Sequence, residues 1–385
     1  MVLTFLNLVV ISGILVGLAE GSALTYRSQY SGDVLISRYP TKEYIERSTD
    51  LQGVLQAMPD IVSFSPRYLG VGTLESNYKT NIGPKLAPEV VTTEFVGIDA
   101  TDEALVTNLP SQVIEGEYLV DGEEGYVLVG SNLLEQYAGA LAKNVLKGVK
   151  VGDKIRISIN GKRKEVIVKG IVKNKISEVS LRLFFADTEL RSLLSRTDLN
   201  VSEIAVVLRP TASSTSVTNY LKEAGFGTLA KIETSEESEG TFLSDIRKTF
   251  AVLGNVIGGI GLIVASITIF IVIYINAVTR RKYIGIAKGI GISELAIEFS
   301  YVLQSLFYAL IGVGIGMVIL YFGIKPYIDL HPIDFPFSDG ILVAPIDEVS
   351  VRVGILVIVT MIAGYLPAKL IVRKNTLDAI LGRNE

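Results

Sequence analysis

Residues 249–279 read TFAVLGNVIGGIGLIVASITIFIVIYINAVT and contain no aspartate, glutamate, lysine or arginine. The hydrocarbon core of a bilayer is ~30 Å thick, and an α-helix crosses it with ~20 apolar residues. Residues 299–324 form a second long stretch without a charged side chain. Uncharged runs of this length are typical of membrane helices and are seldom needed for a core helix of a soluble protein. The sequence therefore predicts two transmembrane helices in this half of the chain.

Two shorter apolar segments complete the predicted membrane part. Residues 353–368 lie between Arg352 and Lys369, whose long side chains can reach the bilayer surface; a buried core helix is the alternative. Residues 1–19 also lack charge, and a signal peptide is the alternative there, although no basic residue precedes Arg27 to form its first region. We expect an integral membrane α-helical protein with four transmembrane helices. Their predicted positions are residues 1–19, with the start of this helix truncated, and about 252–278, 299–324 and 352–372.

Charged residues are distributed unevenly around these segments. Between Glu20 and Asp245 there are 24 lysines and arginines against 31 aspartates and glutamates, which gives a net charge of −7. The predicted loop 279–297 and the C-terminus are basic, whereas the predicted loop 325–348 is acidic. Basic short loops stay on the cytoplasmic side of a membrane. We therefore expect a multi-pass protein of the cell membrane, with loop 279–297 and both termini inside and with residues 20–245 and loop 325–348 outside.

Residues 20–245 form a predicted α+β domain outside the membrane, inserted between the first and second helices. Asn160-Gly161, flanked by two alternating apolar stretches, is the strongest hairpin signal in the chain. The spacing of apolar residues predicts strands at 32–37, 61–65, 68–74, 95–98, 126–129, 154–159, 165–172 and 201–208, and helices at 49–58, 131–142 and 213–224.

Residues that commonly carry chemistry are scarce. The one histidine, His331, lies before Pro332 in the acidic outer loop and is expected to be solvated, and there is no cysteine. No Gly-x-x-x-x-Gly-Lys-[Ser/Thr] motif occurs, so we expect no ATP binding by a P-loop. No ionisable residue lies in the middle of a predicted span, which argues against an ion-coupled transporter. We therefore expect no catalytic residue, metal site, cofactor or nucleic-acid partner, and no enzymatic activity in this chain.

Glycines separated by three residues occur in two of the predicted spans. Gly254 with Gly258, and Gly312 with Gly316, fit the pattern of small residues that lets membrane helices approach closely. Packing within one subunit and contact with a second copy of the chain both remain open.

Residues 279–293, TRRKYIGIAKGIGIS, form a short basic and amphipathic segment between two predicted spans. Attraction to anionic lipid explains the charges, but not the alternation of isoleucines with glycines, which a helix that docks into a groove of a partner would explain. The segment resembles the one that follows the second span in MacB/FtsX-type permease subunits of ABC transporters. That family usually has glutamate where this chain has Tyr283. The matching residues are Arg280, Ile284, Gly285, Ile286, Lys288, Gly291 and Ser293.

Further matches to this family follow in the same order along nearly the whole chain. Lys369 and Thr376 replace the arginine and proline that are usual in the C-terminal pieces. The matching pieces are LAEG at 18–21, GDVLIS at 32–37, FVGID at 95–99, EG at 115–116, VLVG at 127–130, KVGD at 150–153, GYLPA at 364–368 and LDAI at 377–380.

The resemblance implies a MacB-like domain at 20–245, an FtsX-like domain at 246–385 and a coupling segment at 279–297. It further implies a permease subunit that forms a homodimer, or a heterodimer with a related permease. A separate cytoplasmic ABC ATPase, which would hold ATP and magnesium, would drive motion that the permease transmits outside for export or extrusion of a substrate. The residues implied to contact the ATPase are Arg280, Arg281, Ile284, Gly285, Lys288 and Gly291, with Arg373 and Lys374 as further candidates.

Two alternative functions remain at this stage. One is an FtsX-like, ATP-driven regulator of a cell-wall hydrolase or of a peptide-sensing complex, although the length of residues 20–245 favours the MacB-like branch. The other is a membrane-anchored binding protein that works without an ATPase.

Overall fold

The computed structural model of the protein describes residues 1–79, 90–138, 144–335 and 338–373. The chain forms two compact units. One contains Met1–Gly21 and Leu243–Glu385, and the other contains Ser22–Phe242. The first unit consists mainly of helices, whereas the second is built around a β-sheet.

Within the described residues, four helices are long and apolar enough to cross a membrane. Their number and the large sheet domain between the first two confirm the predicted fold class. Each helix is longer than the apolar run that predicted it, because helical hydrogen bonding continues through polar residues until a capping residue ends it. We name them span 1 to span 4, and they comprise Val2–Ser31, Ser244–Thr279, Glu294–Leu330 and Ile346–Val372.

Short elements connect or interrupt these spans. Span 2 belongs to a continuous helix, Thr241–Thr279, and the coupling helix, Arg281–Gly289, follows it directly. Span 1 contains π-helical turns at Asn7–Ile11 and Arg27–Ser31. Span 3 contains one at Leu320–Ile324. Two short strands that pair with each other, β11 (Ile333–Phe335) and β12 (Ser338–Gly340), lie between spans 3 and 4.

The second unit contains a mixed sheet whose described part has ten strands. The strands are β1 (Val34–Ser37), β2 (Ile61–Glu75), β3 (Val90–Ile98), β4 (Val113–Gly116), β5 (Tyr126–Gly130), β6 (Lys154–Ile159), β7 (Lys162–Val172), β8 (Arg182–Ala186), β9 (Glu203–Leu208) and β10 (Lys231–Thr234). Their order in the sheet is β10-β1-β9-β2-β3-β8-β5-β7-β4, and β6 pairs with both β2 and β7. Most pairs are antiparallel, but β3 with β8 and β5 with β7 are parallel.

The β6–β7 hairpin confirms the turn predicted at Asn160-Gly161. Both turn residues have positive φ, 50° for Asn160 and 77° for Gly161, as a two-residue hairpin turn of this kind requires. The register pairs Ile159 with Lys162 and continues to Lys154 opposite Ile167. Buried and more exposed residues alternate along both strands, so one face of the hairpin enters the core and the other carries its polar residues.

The helix predicted at 131–142 is wrong. Ser131–Leu133 is a single 3-10 turn, and Leu134 is extended and forms an isolated bridge with Leu146. This non-local pairing removes Leu134 from any helix, and residues 139–143 lie outside the described part of the chain. The two strands predicted at 61–65 and 68–74 are one strand, because β2 keeps its register with β9 through Pro66.

The other predicted helices of this unit are present with small shifts. They comprise Ser48–Ala57 and Ser214–Glu223, and Gly225, with φ of 95°, follows the end of the second. The N-cap of the first is Arg47. Further helices not predicted from the sequence are Ala100–Thr107, Ser177–Ser180, Asp187–Leu193 and Ser235–Ser238.

Candidate functional site

The coupling helix lies between the end of span 2 and the start of span 3. Its C-terminal end is set by Gly291, which has φ of 98°, a conformation that side-chain-bearing residues rarely adopt. Ser293 then caps span 3 by accepting a hydrogen bond from the backbone of Ala296. The glycine and serine that carry the family resemblance here therefore form the turn between two helices.

One side of the coupling helix packs against its own chain. Ile284 is 7% exposed and belongs to a buried cluster with Ala277 of span 2 and Val372 of span 4. Gly285 is buried beside it. The Nζ atom of Lys288 donates a hydrogen bond to the Val372 carbonyl over 2.9 Å and lies 2.7 Å from Glu294 Oε1.

The opposite side of the coupling helix presents apolar side chains outward. Tyr283 is 74% exposed, Ile286 52% and Ile290 75%. Residues three and four positions apart share one helix face, so these three side chains form a stripe, named here the outer stripe. Arg280 and Lys282 are exposed beside it.

The six predicted ATPase-contact residues therefore fall into two groups. Arg280 and Gly291 are exposed and Arg281 is half-buried. Ile284, Gly285 and Lys288 contact the chain's own helices. Contact of any of them with an ATPase stays a prediction. Arg373 is exposed at the end of span 4, whereas Lys374 and the family-like residues 377–380 lie outside the described residues.

The outer stripe was not predicted from the sequence as a separate surface. Its signal was present in the spacing of positions 283, 286 and 290, which is the helical i, i+3, i+7 pattern. It was hidden because Ile284 is equally apolar and only the tertiary structure determines which isoleucines face inward.

Span 1 packs against the glycines of spans 2 and 3. A Cβ atom added at Gly254 would lie 3.3 Å from Ser12 Oγ, and one at Gly258 would lie 3.2 Å from Leu8 Cδ1. At Gly312 and Gly316 the added atom would overlap Met1 and Phe5, respectively. All four glycines therefore allow close packing of helices within one chain, one of the two alternatives left open by the sequence.

The C-terminal turn of span 1 is bonded to the segment that closes the sheet unit. Tyr26 donates a hydrogen bond from its hydroxyl to the Ser238 carbonyl over 2.9 Å. The hydroxyl oxygens of Ser31 and Ser235 are 2.7 Å apart. The beginning and the end of this unit are therefore joined directly at the helix Ser235–Ser238.

A buried cluster of charges surrounds the last turn of span 1. Arg67 on β2 is 2% exposed, and its guanidinium pairs with Glu103 over 2.8 Å and with Glu203 over 2.6 Å. The same guanidinium donates to the Tyr30 carbonyl over 2.8 Å, and the Tyr30 hydroxyl donates to Glu203 over 2.9 Å. Arg182, also buried, lies within 3.2 Å of that hydroxyl. The cluster thus binds both polar groups of Tyr30 to the sheet.

The electrostatics of this cluster favour the charged form of Glu203. Burial raises the pKa of Glu203, but the nearby cations of Arg182 and Arg67 and the hydrogen bonds from Arg67 and Tyr30 lower it further, so that the net effect is a lowered pKa. Ser65 and Thr107 donate hydrogen bonds to Glu103 over 2.7 and 2.9 Å. Charges and hydrogen-bonding groups are thus paired, the condition under which buried charges are tolerated.

The outer loop between spans 3 and 4 shows no arrangement for chemistry in its described residues. His331 is exposed, and its ring stacks on that of Tyr327 with centroids 5.0 Å apart. Across the described part of the chain, no three histidine, aspartate or glutamate side chains are placed to hold a metal ion together.

Two protein families match successive parts of this chain. Residues 8–224 match the MacB-like periplasmic core domain. Residues 255–376 match the FtsX-like permease C-terminal family. The first match alone covers more than half of the chain.

Two individual proteins are similar to parts of this chain. Over 175 residues it is 26% identical to an uncharacterized ABC transporter permease protein of Mycobacterium tuberculosis, covering 45% of this chain and 20% of the relative. Over 149 residues it is 30% identical to the macrolide export ATP-binding/permease protein MacB of Haemophilus ducreyi, covering 37% and 20%. The chain thus matches about one fifth of the length of these curated relatives.

Among solved structures, the periplasmic region of MacB from Actinobacillus actinomycetemcomitans is 17% identical with a TM-score of 0.36, covering 54% of this chain and 90% of that one. The two successive family matches agree with the order of a sheet domain followed by membrane helices. The chain therefore belongs to the MacB/FtsX-type family of ABC transporter permeases.

Proposed function

We propose that this chain is the permease subunit that transmits ATP-driven motion from a separate cytoplasmic ABC ATPase to its α+β domain, for export or extrusion of a substrate. As an ABC permease with four membrane helices it is a multi-pass membrane protein. In this proposal both termini and the coupling helix are cytoplasmic, and the α+β domain is outside. The active unit contains two permease subunits, either two copies of this chain or this chain and a related one.

The outer stripe of the coupling helix is the observation that carries the proposal. Among the described residues, Tyr283, Ile286 and Ile290 are each more than half exposed. They lie next to the cations of Arg280 and Lys282. An apolar helix face with basic flanks suits a groove with apolar walls and an acidic rim on a partner protein. Attraction to anionic lipid explains the cations but not the alternation of isoleucines with glycines in this segment.

Contacts inside the chain supply a route by which a push on this helix would reach the spans. Lys288 bonds the coupling helix to the end of span 4 and to the first residue of span 3. Ile284 packs with Ala277 near the end of span 2. A displacement of the coupling helix would therefore act on three spans together, and span 1 would follow through its close contacts at the glycines of spans 2 and 3.

Co-purification of the tagged permease with a co-expressed ABC ATPase tests the proposal. Ile286→Asp/Ile290→Asp places two charges on the outer stripe and should abolish retention of the ATPase by the tagged permease. The matched control is Leu105→Asp/Val120→Asp, which places two charges at exposed apolar positions of the sheet unit, outside the membrane helices and the coupling helix. The permease yield of each variant is measured in parallel. Full retention of the ATPase by a well-inserted Ile286→Asp/Ile290→Asp permease would overturn the contact assignment.

The same experiment separates the alternatives. A binding protein without an ATPase would show no retention in the unaltered chain either. An ATP-driven regulator would retain the ATPase, and it would differ from an exporter in releasing a cell-wall hydrolase activity rather than moving a substrate. Substrate extrusion by reconstituted permease and ATPase, with and without ATP, distinguishes these two.

A further inference from the structure

The sheet unit carries a basic surface that its overall charge conceals. Residues 147–175 contain ten lysines and arginines against two acidic residues, a net charge of +8, although residues 20–245 as a whole have −7. The remainder of residues 20–245 therefore carries −15. The basic residues belong mainly to the β6–β7 hairpin and its flanking loops. We name this region the basic hairpin.

Several of these cations are already neutralised by carboxylates. Arg156 pairs with Glu75, Lys169 pairs with Glu123, and the Nζ atom of Lys164 lies 2.9 Å from Glu189 Oε1. In the described part of the chain, however, no carboxylate lies within ion-pair distance of five others, and all five are exposed. They are Lys147, Lys150, Lys154, Arg163 and Lys173.

Part of this surface is concave. A groove of about 450 Å³ lies between the end of β2 and the loop that precedes β6. Three lysines and one carboxylate, that of Asp153, line it. The Nζ atom of Lys79 lies 3.4 Å from Glu165, whereas Lys147 and Lys154 have no carboxylate within ion-pair distance among the described residues. Asp153 is engaged by the backbone of Lys150, which donates a hydrogen bond to it over 2.8 Å. The lining side chains together carry a net charge of +2, which favours an anion in the groove. Ser76 and Asn77 also line the groove.

The composition of the surface indicates which kind of anion it suits. Protein–protein interfaces are depleted of lysine and rely on buried aromatic or aliphatic anchors. The aromatic ring in the groove lining, Tyr78, is covered by cations, with Lys79 5.2 Å and Arg156 5.0 Å from its centroid. Val149 and Ile155 in the lining are buried in the core. An acidic protein would therefore find few anchors here, whereas a phosphate group is bound well by lysine alone.

We propose that the basic hairpin, with the groove between Lys79, Lys147 and Lys154, binds phosphate-bearing anions. The source is either a soluble or wall-attached phosphate polymer or the headgroups of anionic lipid. The proposal does not depend on the ATPase, because it concerns only the sheet unit.

Binding of fluorescently labelled linear polyphosphate to the full chain in phosphatidylcholine nanodiscs tests the proposal. Lys79→Gln/Lys147→Gln/Lys154→Gln should weaken binding by about tenfold or more at moderate salt, and should reduce the dependence of log Kd on log salt concentration. The matched control is Lys42→Gln/Lys222→Gln/Lys231→Gln, which removes three exposed lysines elsewhere in the same unit. A second control, Arg280→Gln/Lys282→Gln, measures background binding to the coupling helix.

Two further arms identify the source of the anion. The first arm measures binding to lipid headgroups, as co-flotation of the nanodiscs with phosphatidylglycerol vesicles compared with phosphatidylcholine vesicles. The second arm measures binding to a phosphate polymer, with labelled polyphosphate as the probe. Binding in either arm that depends on the three groove lysines supports the proposal. Absence of binding in both arms would overturn it, as would equal losses in the groove and control variants. Polyglutamate that binds as tightly as polyphosphate through the same lysines would also overturn it, in favour of an acidic protein.

Discussion

The Nη1 atom of Arg67 lies 2.6 Å from Oε1 of Glu203, and the two side chains are only 2% and 5% exposed. A second carboxylate, Glu103, accepts from the same guanidinium over 2.8 Å. Tyr30, at the C-terminal turn of span 1, bonds to Arg67 through its carbonyl and to Glu203 through its hydroxyl. The last turn of span 1 is therefore held against the sheet by hydrogen bonds to Arg67 and to its ion-pair partner Glu203.

Arg67→Met should destabilise the protein strongly. The substitution leaves two buried carboxylates without their main cation, and breaking a buried pair from one side costs about 3–5 kcal/mol. The checking measurement is the thermal midpoint of the detergent-solubilised chain, followed by size-exclusion chromatography after heating. Lys42→Met, which breaks an exposed pair with Glu46, should change the midpoint little. An unchanged midpoint in Arg67→Met would contradict the assignment of a stabilising cluster.

Glu203→Gln should change how stability depends on pH. Glu203 has a pKa below its ordinary value of 4.5 in the folded chain, despite its burial. A lowered pKa means that the ionised carboxylate stabilises the fold above the unfolded-state pKa, and that this contribution is lost as pH falls through the folded-state pKa. The variant should therefore be less stable at neutral pH and lose less stability on acidification. The checking measurement is the thermal midpoint as a function of pH between about pH 7 and pH 3. The control is Glu223→Gln, at an exposed glutamate. If the thermal midpoints of the unaltered chain and of Glu203→Gln fell in parallel on acidification, the prediction would be refuted.

The membrane helices and the β6–β7 hairpin could be predicted because their signals are local. An uncharged run of bilayer length and an Asn-Gly dipeptide between alternating stretches each specify one structure. The buried charge cluster could not be predicted in this way. Arg67 reaches partners 36 and 136 residues away along the chain, and an arginine in a strand pattern usually indicates an exposed position.

The coupling segment was only partly predictable for the same reason. Its basic amphipathic pattern and its resemblance to the permease family indicated a short segment between two spans, and the structure contains a helix there. The inward side of that helix is defined by tertiary contacts, which include a bond from Lys288 to Val372, 84 residues away along the chain, and the packing of Ile284. No pattern within residues 279–293 encodes those contacts.

Gly316→Ala should lower stability, although alanine favours a helix more than glycine does. A Cβ atom at this position would overlap the ring of Phe5, which is fully buried. Overpacking of a filled site typically costs about 1–3 kcal/mol, against about 1 kcal/mol gained in helix propensity. Gly314→Ala is the matched control, since an added atom there meets nothing within 4 Å. We expect a lower thermal midpoint for Gly316→Ala and an equal or higher one for Gly314→Ala; the reverse order would exclude the proposed contact with span 1.

Lys288→Met distinguishes a structural role from direct contact with an ATPase. In the structure its ammonium group holds the coupling helix to Val372 and Glu294. Its removal should therefore lower the thermal midpoint of the permease alone, and methionine retains most of the chain length without the charge. Ile290→Asp, on the exposed outer stripe, should leave that midpoint nearly unchanged but reduce retention of the ATPase. If Lys288→Met instead left stability intact and reduced only ATPase retention, Lys288 would act at the partner surface, and its bond to Val372 would not stabilise the coupling helix.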